Sequence, residues 1–153
     1  MPAKRVKEFL DHHGIKYTTT VHSMAYTAQE IAALAHIPGR EMAKTVIVRA
    51  DDKLVMAVLP ASFHVDLERL REVTGSHALS LASEIEFKHL FPECEPGAMP
   101  PFGNLYGMEV FVDPTLAADE KIVFNAGSHL ELMRMNYRDF ERLVKPKVVA
   151  FRD

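Results

Sequence analysis

The 153-residue chain is long enough to bury one hydrophobic core without disulfides or metal ions, so we expect a single domain over residues 1–153. Its 48% hydrophobic and 25% charged residues are typical of a globular protein. A net charge of −3 argues against broad nucleic-acid coating, and no apolar run approaches the roughly 20 residues that a membrane helix needs. With Cys94 as the single cysteine, these features favour a cytoplasmic protein without internal disulfides.

The first half of the chain carries the patterns of both helices and strands. Val6, Phe9 and Leu10 share one helical face, and a capping box of Thr27 with Glu30 opens a second apolar stripe. Two β-rich runs then meet at a pair of aspartates, which predicts a hairpin. The predicted elements are a helix over 3–13, a strand over 15–22, a helix over 27–36 and hairpin strands over 45–50 and 53–59.

The second half contains shorter elements, which are marked mainly by their caps. Asp66 and Gly75 bracket one helix, and Ser83 with Glu86 opens another that ends before Pro92. Strands and helices interleave without regular alternation, which favours an α+β fold with a mixed, barrel-like curled β-sheet surrounded by helices. The remaining predictions are strands over 78–81, 108–112, 122–125, 130–135 and 147–151, and a helix over 137–144 capped by Asn136.

Residues 95–103, Glu-Pro-Gly-Ala-Met-Pro-Pro-Phe-Gly, are the most unusual stretch of the chain. Five of these nine residues are Pro or Gly, which excludes a helix interior and a central strand. Proline fixes its own φ, so we expect a stiff loop whose backbone amides point in fixed directions, as suits a ligand site. The residues alone fit a plain connector between two elements equally well.

A few other residues could carry chemistry. Lys44 enters an apolar strand, where its ammonium could meet a ligand carbonyl or phosphate, although a lysine in this position is more often simply solvated. His129 follows a strand through small residues and could act as an acid, a base or a hydrogen-bond partner, or lie exposed in a turn. Ser128 lacks the Gly-x-Ser-x-Gly elbow of a nucleophile. Cys94 fits either a thiolate with His129 as its base or a small buried hydrophobe.

The eight histidines do not fall at metal-binding spacings, so we expect no metal ion or other cofactor. From these residues alone the chemistry stays open.

Six short segments, in this order, resemble the YbaK and prolyl-tRNA synthetase insertion-domain family of aminoacyl-tRNA deacylases. Together they span most of the chain. They are Ala43-Lys44-Thr45-Val46, Val58-Leu59-Pro60, Val65-Asp66-Leu67, Gly97-Ala98-Met99-Pro100-Pro101-Phe102, Val112-Asp113-Pro114 and Phe124-Asn125-Ala126-Gly127. The resemblance implies the α+β fold of that family and a freestanding, trans-editing enzyme that hydrolyses the ester of mischarged tRNA. It also allows an aminoacyl-tRNA synthetase as a second partner and implies no membrane association.

The resemblance also implies roles for particular residues. Lys44 would hold the ester end of the substrate, and the backbone amides of Gly97, Ala98, Met99, Pro100 and Pro101 would face the scissile carbonyl. Stabilisation of the oxyanion by such fixed donors needs no protein nucleophile. The remaining residues would line the pocket for a small amino acid such as Ala, Ser or Thr, and these are Thr45, Phe102, Gly127, Ser128 and His129.

Two other functions remain open from the sequence. One is a non-catalytic module that binds tRNA ends or a synthetase. The other is a thiol hydrolase that uses Cys94 on small esters.

Overall fold

The computed structural model describes residues 4–21, 41–95 and 97–153. The helix predicted over 27–36 lies outside the described residues. Five α-helices are described, namely α1 (Lys4–His12), α2 (Leu67–Thr74), α3 (Glu84–Phe87), α4 (Pro114–Ala117) and α5 (Tyr137–Val144), with 3-10 helices at Lys88–Leu90 and Gly103–Tyr106. Eight β-strands are described, namely β1 (Tyr17–Val21), β2 (Ala43–Ala50), β3 (Lys53–Pro60), β4 (Leu79–Leu81), β5 (Val110–Val112), β6 (Lys121–Asn125), β7 (Glu131–Asn136) and β8 (Lys147–Val148).

The strands form two sheets, which meet where β2 of one sheet lies next to β6 of the other. The smaller sheet has the order β1-β7-β6 and the larger sheet has the order β4-β2-β3-β5-β8. The pairs β3–β5 and β5–β8 are parallel and the others are antiparallel. A single parallel bridge between Met42 and Val123 links the start of β2 to β6. The predicted α+β fold with mixed strands is confirmed, and over the described residues the sheets do not close into a barrel.

Local sequence explains most of these elements. Asp66 caps α2 by accepting a hydrogen bond from the Arg69 N–H at 3.1 Å, and Gly75 ends the helix with a left-handed φ of 69°. The capping box of Ser83 and Glu86 is present at α3. All three predictions are confirmed, because capping depends only on residues a few positions apart.

The prediction that the Asn136 side chain caps α5 is wrong. Asn136 does occupy the N-cap position, but its side chain makes no capping hydrogen bond. Its Oδ1 instead accepts from Lys121 Nζ at 2.6 Å, because Lys121 is its direct cross-strand partner on β6. A tertiary contact has therefore replaced the local one.

Both faces of the larger sheet are covered by apolar side chains. The inner face of β2 contributes Ala43 and Ile47 to the main core, which also contains Phe102, Phe124 and Phe140. The opposite, outer face packs in a second cluster of buried residues: Val48, Ala50, Val55, Ala57, Leu59, Leu70, Phe111 and Phe151. Burial on both faces explains why β2 reads as an almost continuous apolar run. None of the described helices is long and apolar enough to cross a membrane.

Candidate active site

The predicted Pro/Gly loop begins with a tight turn. The N–H of Ala98 donates to the carbonyl of Glu95 at 3.0 Å, and Gly97 between them has a φ of +80°. This combination is that of a type II β-turn, in which the second central position needs a positive φ and therefore favours glycine. The turn leaves Gly97 exposed, whereas Ala98 and Met99 are buried.

Backbone hydrogen bonds hold this turn against the loop that follows β6. The N–H of Glu95 donates to the carbonyl of Gly127 at 2.8 Å, and the N–H of Gly127 donates to the carbonyl of Ala98 at 2.9 Å. A Cβ built on Gly97 would lie 3.5 Å from Cε1 of His129, so this imidazole packs directly against the glycine. The structure thus brings together Gly97, Ala98, Gly127 and His129, which the sequence had placed in two separate segments.

The loop after β6 is itself braced. Ser128 is 6% exposed, and its Oγ accepts from the N–H of Leu130 at 3.0 Å. The carbonyl of Glu131 accepts from the N–H of Ala126 at 3.0 Å, while the Glu131 side chain accepts from Lys7 Nζ on α1 at 2.6 Å. The hydroxyl of Ser128 therefore stabilises the loop that carries Gly127 and His129.

Few backbone N–H groups of the 97–101 segment can face a ligand. The N–H of Ala98 is used within the turn, and Pro100 and Pro101 have none. In the described part of the chain, no hydrogen bond occupies the N–H groups of Gly97 and Met99. Of the five backbone amides predicted to face the scissile carbonyl, only those of Gly97 and Met99 therefore have an N–H that is available as a donor.

The structure corrects the assignment of Phe102 to the substrate pocket. Its side chain is completely buried. The ring makes edge-on contacts with Phe9, Phe124 and Phe140 at centroid distances of 6.3, 5.6 and 5.5 Å. Phe102 therefore anchors the end of the loop in the main core.

Lys44 lies near the start of β2 with a partly buried side chain. Burial lowers the pKa of its ammonium, and the carboxylate of Asp153 opposes that shift. Because successive residues of a strand point to opposite faces, the side chain of Thr45 is directed to the inner face, where it is 9% exposed. The structure therefore does not place Thr45 on the same face as Lys44.

Residues 149–153 carry Asp153 to the outer face of the sheet. The N–H of Asp66 donates to the carbonyl of Phe151 at 2.7 Å, and the ring of Phe151 is completely buried. The N–H of His64 donates to Asp153 Oδ1 at 2.9 Å, and the N–H of Asp153 donates back to the His64 carbonyl at 3.0 Å. The sequence analysis missed Asp153, because no local pattern connects it with a lysine so far away in the chain.

Two cavities lie near these elements. The larger, of about 1000 Å³, is lined by residues of the α4–β6 connection and of α5, such as Asp119, Tyr137 and Arg142, and it includes none of the predicted site residues. The smaller, of about 420 Å³, is lined in part by Cys94 and Met99 and so adjoins the Pro/Gly loop. Among the described residues, no group of three or more His, Cys, Asp or Glu side chains could hold a metal ion.

A family model for the aminoacyl-tRNA editing domain matches residues 22–143, so the chain belongs to that family. The chain is 26% identical over 154 residues to the multifunctional Ser/Thr-tRNA deacylase ProXp-y of Escherichia coli strain K12, covering 97% of this chain and 92% of that protein. It is 28% identical over 90 residues to the proline--tRNA ligase of Bacillus cereus strain AH187, covering 59% of this chain and 16% of the ligase.

A likeness to a solved structure confirms the fold. The crystal structure of a candidate trans-editing enzyme for prolyl tRNA synthetase superimposes with a TM-score of 0.85 at 19% identity, covering 99% of this chain and 96% of the other. The resemblance drawn from the six sequence segments is thus confirmed at the level of family and fold.

Proposed function

We propose that this protein is an aminoacyl-tRNA deacylase that hydrolyses the ester bond of mischarged tRNA. The observation that carries the proposal is the pairing of the Gly97 turn with Gly127 through two backbone hydrogen bonds of 2.8 and 2.9 Å. Gly97 is exposed beside His129, which supports the proposal that its N–H is a donor to the oxyanion. Membership in the editing-domain family supports the same reaction.

The proposed mechanism is electrostatic. The ammonium of Lys44 holds the ester end of the substrate, while the N–H groups of Gly97 and Met99 stabilise the negative charge that develops on the carbonyl oxygen. One such donor is typically worth about 3 kcal/mol of transition-state stabilisation. Water attacks the carbonyl carbon, the bond from this carbon to the ribose oxygen breaks, and the ribose oxygen takes up a proton. No protein nucleophile takes part.

We further propose that the amino acid removed is small, with Ser and Thr favoured over Ala. The named activity of the Escherichia coli relative on Ser/Thr-tRNA supports this choice. A separate hydrolytic site is useful because a binding pocket distinguishes amino acids that differ by one methylene or hydroxyl only about 10- to 200-fold. A substrate made during translation is consistent with a cytoplasmic location.

The proposed contact with tRNA is limited to its acceptor end. A net charge of −3 offers few clustered cations for the tRNA body, so a synthetase would supply the remaining contact.

A deacylation panel tests the proposal. Purified protein is incubated with alanyl-, seryl-, threonyl- and cysteinyl-tRNA, and the ester that remains is measured against the uncatalysed rate. We expect rapid loss of seryl- or threonyl-tRNA. Binding of these tRNAs without turnover of any of them would refute the deacylase and favour a non-catalytic module that binds tRNA ends or a synthetase.

A further inference from the structure

Asn125, the last residue of β6, has an unusual side chain. Its Oδ1 is buried and has no hydrogen-bond partner among the residues that the structure describes. Buried polar groups are nearly always hydrogen-bonded, because an unpaired acceptor loses its contact with water without compensation. The residue as a whole is only partly buried, so part of Asn125 reaches the surface. An unpaired acceptor of this kind can accept a hydrogen bond from a donor group of a bound ligand.

The bridge between Met42 and Val123 puts Asn125 on the same face as Lys44. Met42 and Val123 form a parallel bridge, and residues paired in this way direct their side chains to the same face of a sheet. Lys44 and Asn125 each lie two residues further along their own strand, and alternation returns both side chains to that face. The two side chains therefore lie on one face of the strands that the bridge joins.

The same residue also leads into the candidate oxyanion site. Ala126 and Gly127 follow it directly, and Gly127 makes the two backbone bonds to the Pro/Gly loop. Asn125 therefore connects the face that carries Lys44 with the loop that carries Gly127.

We propose that the carboxamide of Asn125 accepts a hydrogen bond from the α-amino group of the aminoacyl ester. This inference rests on the proposed deacylase function. The α-amino group is attached to the carbon next to the scissile carbonyl, and every aminoacyl ester carries it. The ammonium of Lys44 cannot accept this hydrogen bond, because it has only donors, whereas a neutral amide oxygen on the same face can.

The carboxylates around this face are already engaged. Glu41 is paired with Arg134 at 3.2 Å, and Asp153 accepts from the N–H of His64 at 2.9 Å. The Oδ1 of Asn125 is not engaged in this way, because no hydrogen bond from another described residue reaches it. Rotation about χ2, which is broad and roughly two-fold for Asn, brings the oxygen to the exposed edge. A bond to the substrate would then replace an orphaned buried acceptor with a paired one.

A pair of substrates tests this inference. One is the aminoacyl-tRNA that the wild-type protein hydrolyses fastest, and the other is the same aminoacyl-tRNA acetylated on its α-nitrogen. Asn125→Leu keeps the approximate size of the side chain but removes both polar atoms. We expect this variant to lose about tenfold or more in kcat/KM on the free-amine substrate and little on the acetylated one, so that discrimination between the two substrates falls.

Two further variants keep the test decisive. Asn125→Asp retains an acceptor and should preserve the preference for the free amine, and Asn125→Ala replaces the Leu variant if the latter fails to fold. Asn104→Leu, at an exposed asparagine outside the site, is the matched control and should change neither rate. Equal losses on both substrates, or unchanged discrimination in a folded Leu or Ala variant, would overturn the role of Asn125 while leaving the deacylase standing. A wild-type protein that hydrolyses neither substrate would overturn both proposals.

Discussion

The start of β2 and the Gly97 turn contribute to the candidate site in opposite ways. Lys44 contributes a charge at the end of a long side chain, and its pKa responds to burial and to Asp153. Gly97 contributes a backbone N–H, which a positive φ and the hydrogen bonds of the neighbouring residues hold in place. The first region therefore depends on the charged group at the end of a side chain. The second depends on a glycine, which has no side chain and so can adopt the positive φ.

This difference decides how each region is best disrupted. A charge is removed by shortening or neutralising the side chain, with little effect on the strand that carries it. A backbone donor is displaced by replacing glycine with a residue that has a Cβ, because a Cβ is disfavoured at a positive φ. The predictions below test the two modes against matched controls, from the largest expected effect to the smallest.

Lys44→Met should have the largest effect. Methionine keeps the apolar stem against the sheet but removes the ammonium, so the fold should persist while kcat/KM for deacylation falls by about 10²- to 10³-fold. Lys53→Met, at an exposed lysine of the same hairpin, is the control and should leave the rate unchanged. Thermal melting checks both proteins. A folded Lys44→Met variant with wild-type turnover would exclude the lysine mechanism.

Gly97→Ala should lower turnover by about tenfold or more. The added Cβ is strained at a φ of +80° and lies 3.5 Å from the His129 ring, so the N–H of residue 97 shifts. Gly107 has a φ of +70° with nothing within 4 Å of a built Cβ, which makes Gly107→Ala the control for strain alone. Each substitution should cost about 1–2 kcal/mol of stability in chemical denaturation. Equal catalytic losses in both variants would mean that Gly97 has only a structural role.

Asp153→Asn should have a smaller, pH-dependent effect. The carboxylate raises the pKa of Lys44 against the lowering by burial, so its removal lowers that pKa further. In the proposed mechanism the active form of Lys44 is the ammonium, and activity is lost as pH rises through its pKa, so the variant should lose activity at lower pH than the wild type. Because Asp153 is exposed, the loss at a fixed alkaline pH should not exceed about fivefold.

The measurement for Asp153→Asn is kcat/KM from pH 6.5 to 9, corrected for spontaneous ester hydrolysis. Asparagine keeps the Oδ1 that accepts from the N–H of His64, so the backbone pairing should remain. Asp52→Asn, at an exposed aspartate of the β2–β3 hairpin, serves as control. A pH profile shifted upward, or one shifted equally by both substitutions, would contradict the proposed influence of Asp153 on the lysine.

Cys94→Ser should have the smallest effect, with deacylation within about twofold of the wild type. The proposed reaction uses no protein nucleophile, and Cys94 adjoins the apolar cavity behind the loop. The same rates measured after thiol alkylation of the wild type provide a second check. Loss of activity in both experiments would favour the thiol hydrolase, which the sequence left open.

Features of the fold that depend on neighbouring residues could be predicted from the sequence. The β2–β3 hairpin and the caps of α2 and α3 are examples, since their determinants lie within a few positions. The cap of α5 could not be predicted, because Lys121 competes for the Asn136 side chain from the neighbouring strand. The capping role of Asp113, which accepts from the N–H of Thr115 at 2.9 Å, was also missed.

In the candidate site, too, features that depend on residues far apart in the chain could not be predicted. The sequence pointed to both loops, but their pairing depends on backbone groups about thirty residues apart, and sequence patterns do not encode such hydrogen bonds. Phe102 was placed in the pocket because it ends the Gly-Ala-Met-Pro-Pro-Phe segment, yet three aromatic rings from distant elements hold it in the core. The positions of Asn125 and Asp153 relative to Lys44 could not be predicted, because they depend on how the strands pair and on the path of residues 149–153.

The ion pair between Lys7 and Glu131 has a consequence for how the site is assembled. It joins residues 124 positions apart and connects α1 to the first residue of β7, which directly follows the loop that carries Gly127 and His129. Contacts of such high sequence separation carry a large loop-closure entropy and generally form late in folding. We therefore expect the hairpin to acquire protection from hydrogen exchange before the loop after β6 does. The candidate site would then be completed in one of the last steps of folding.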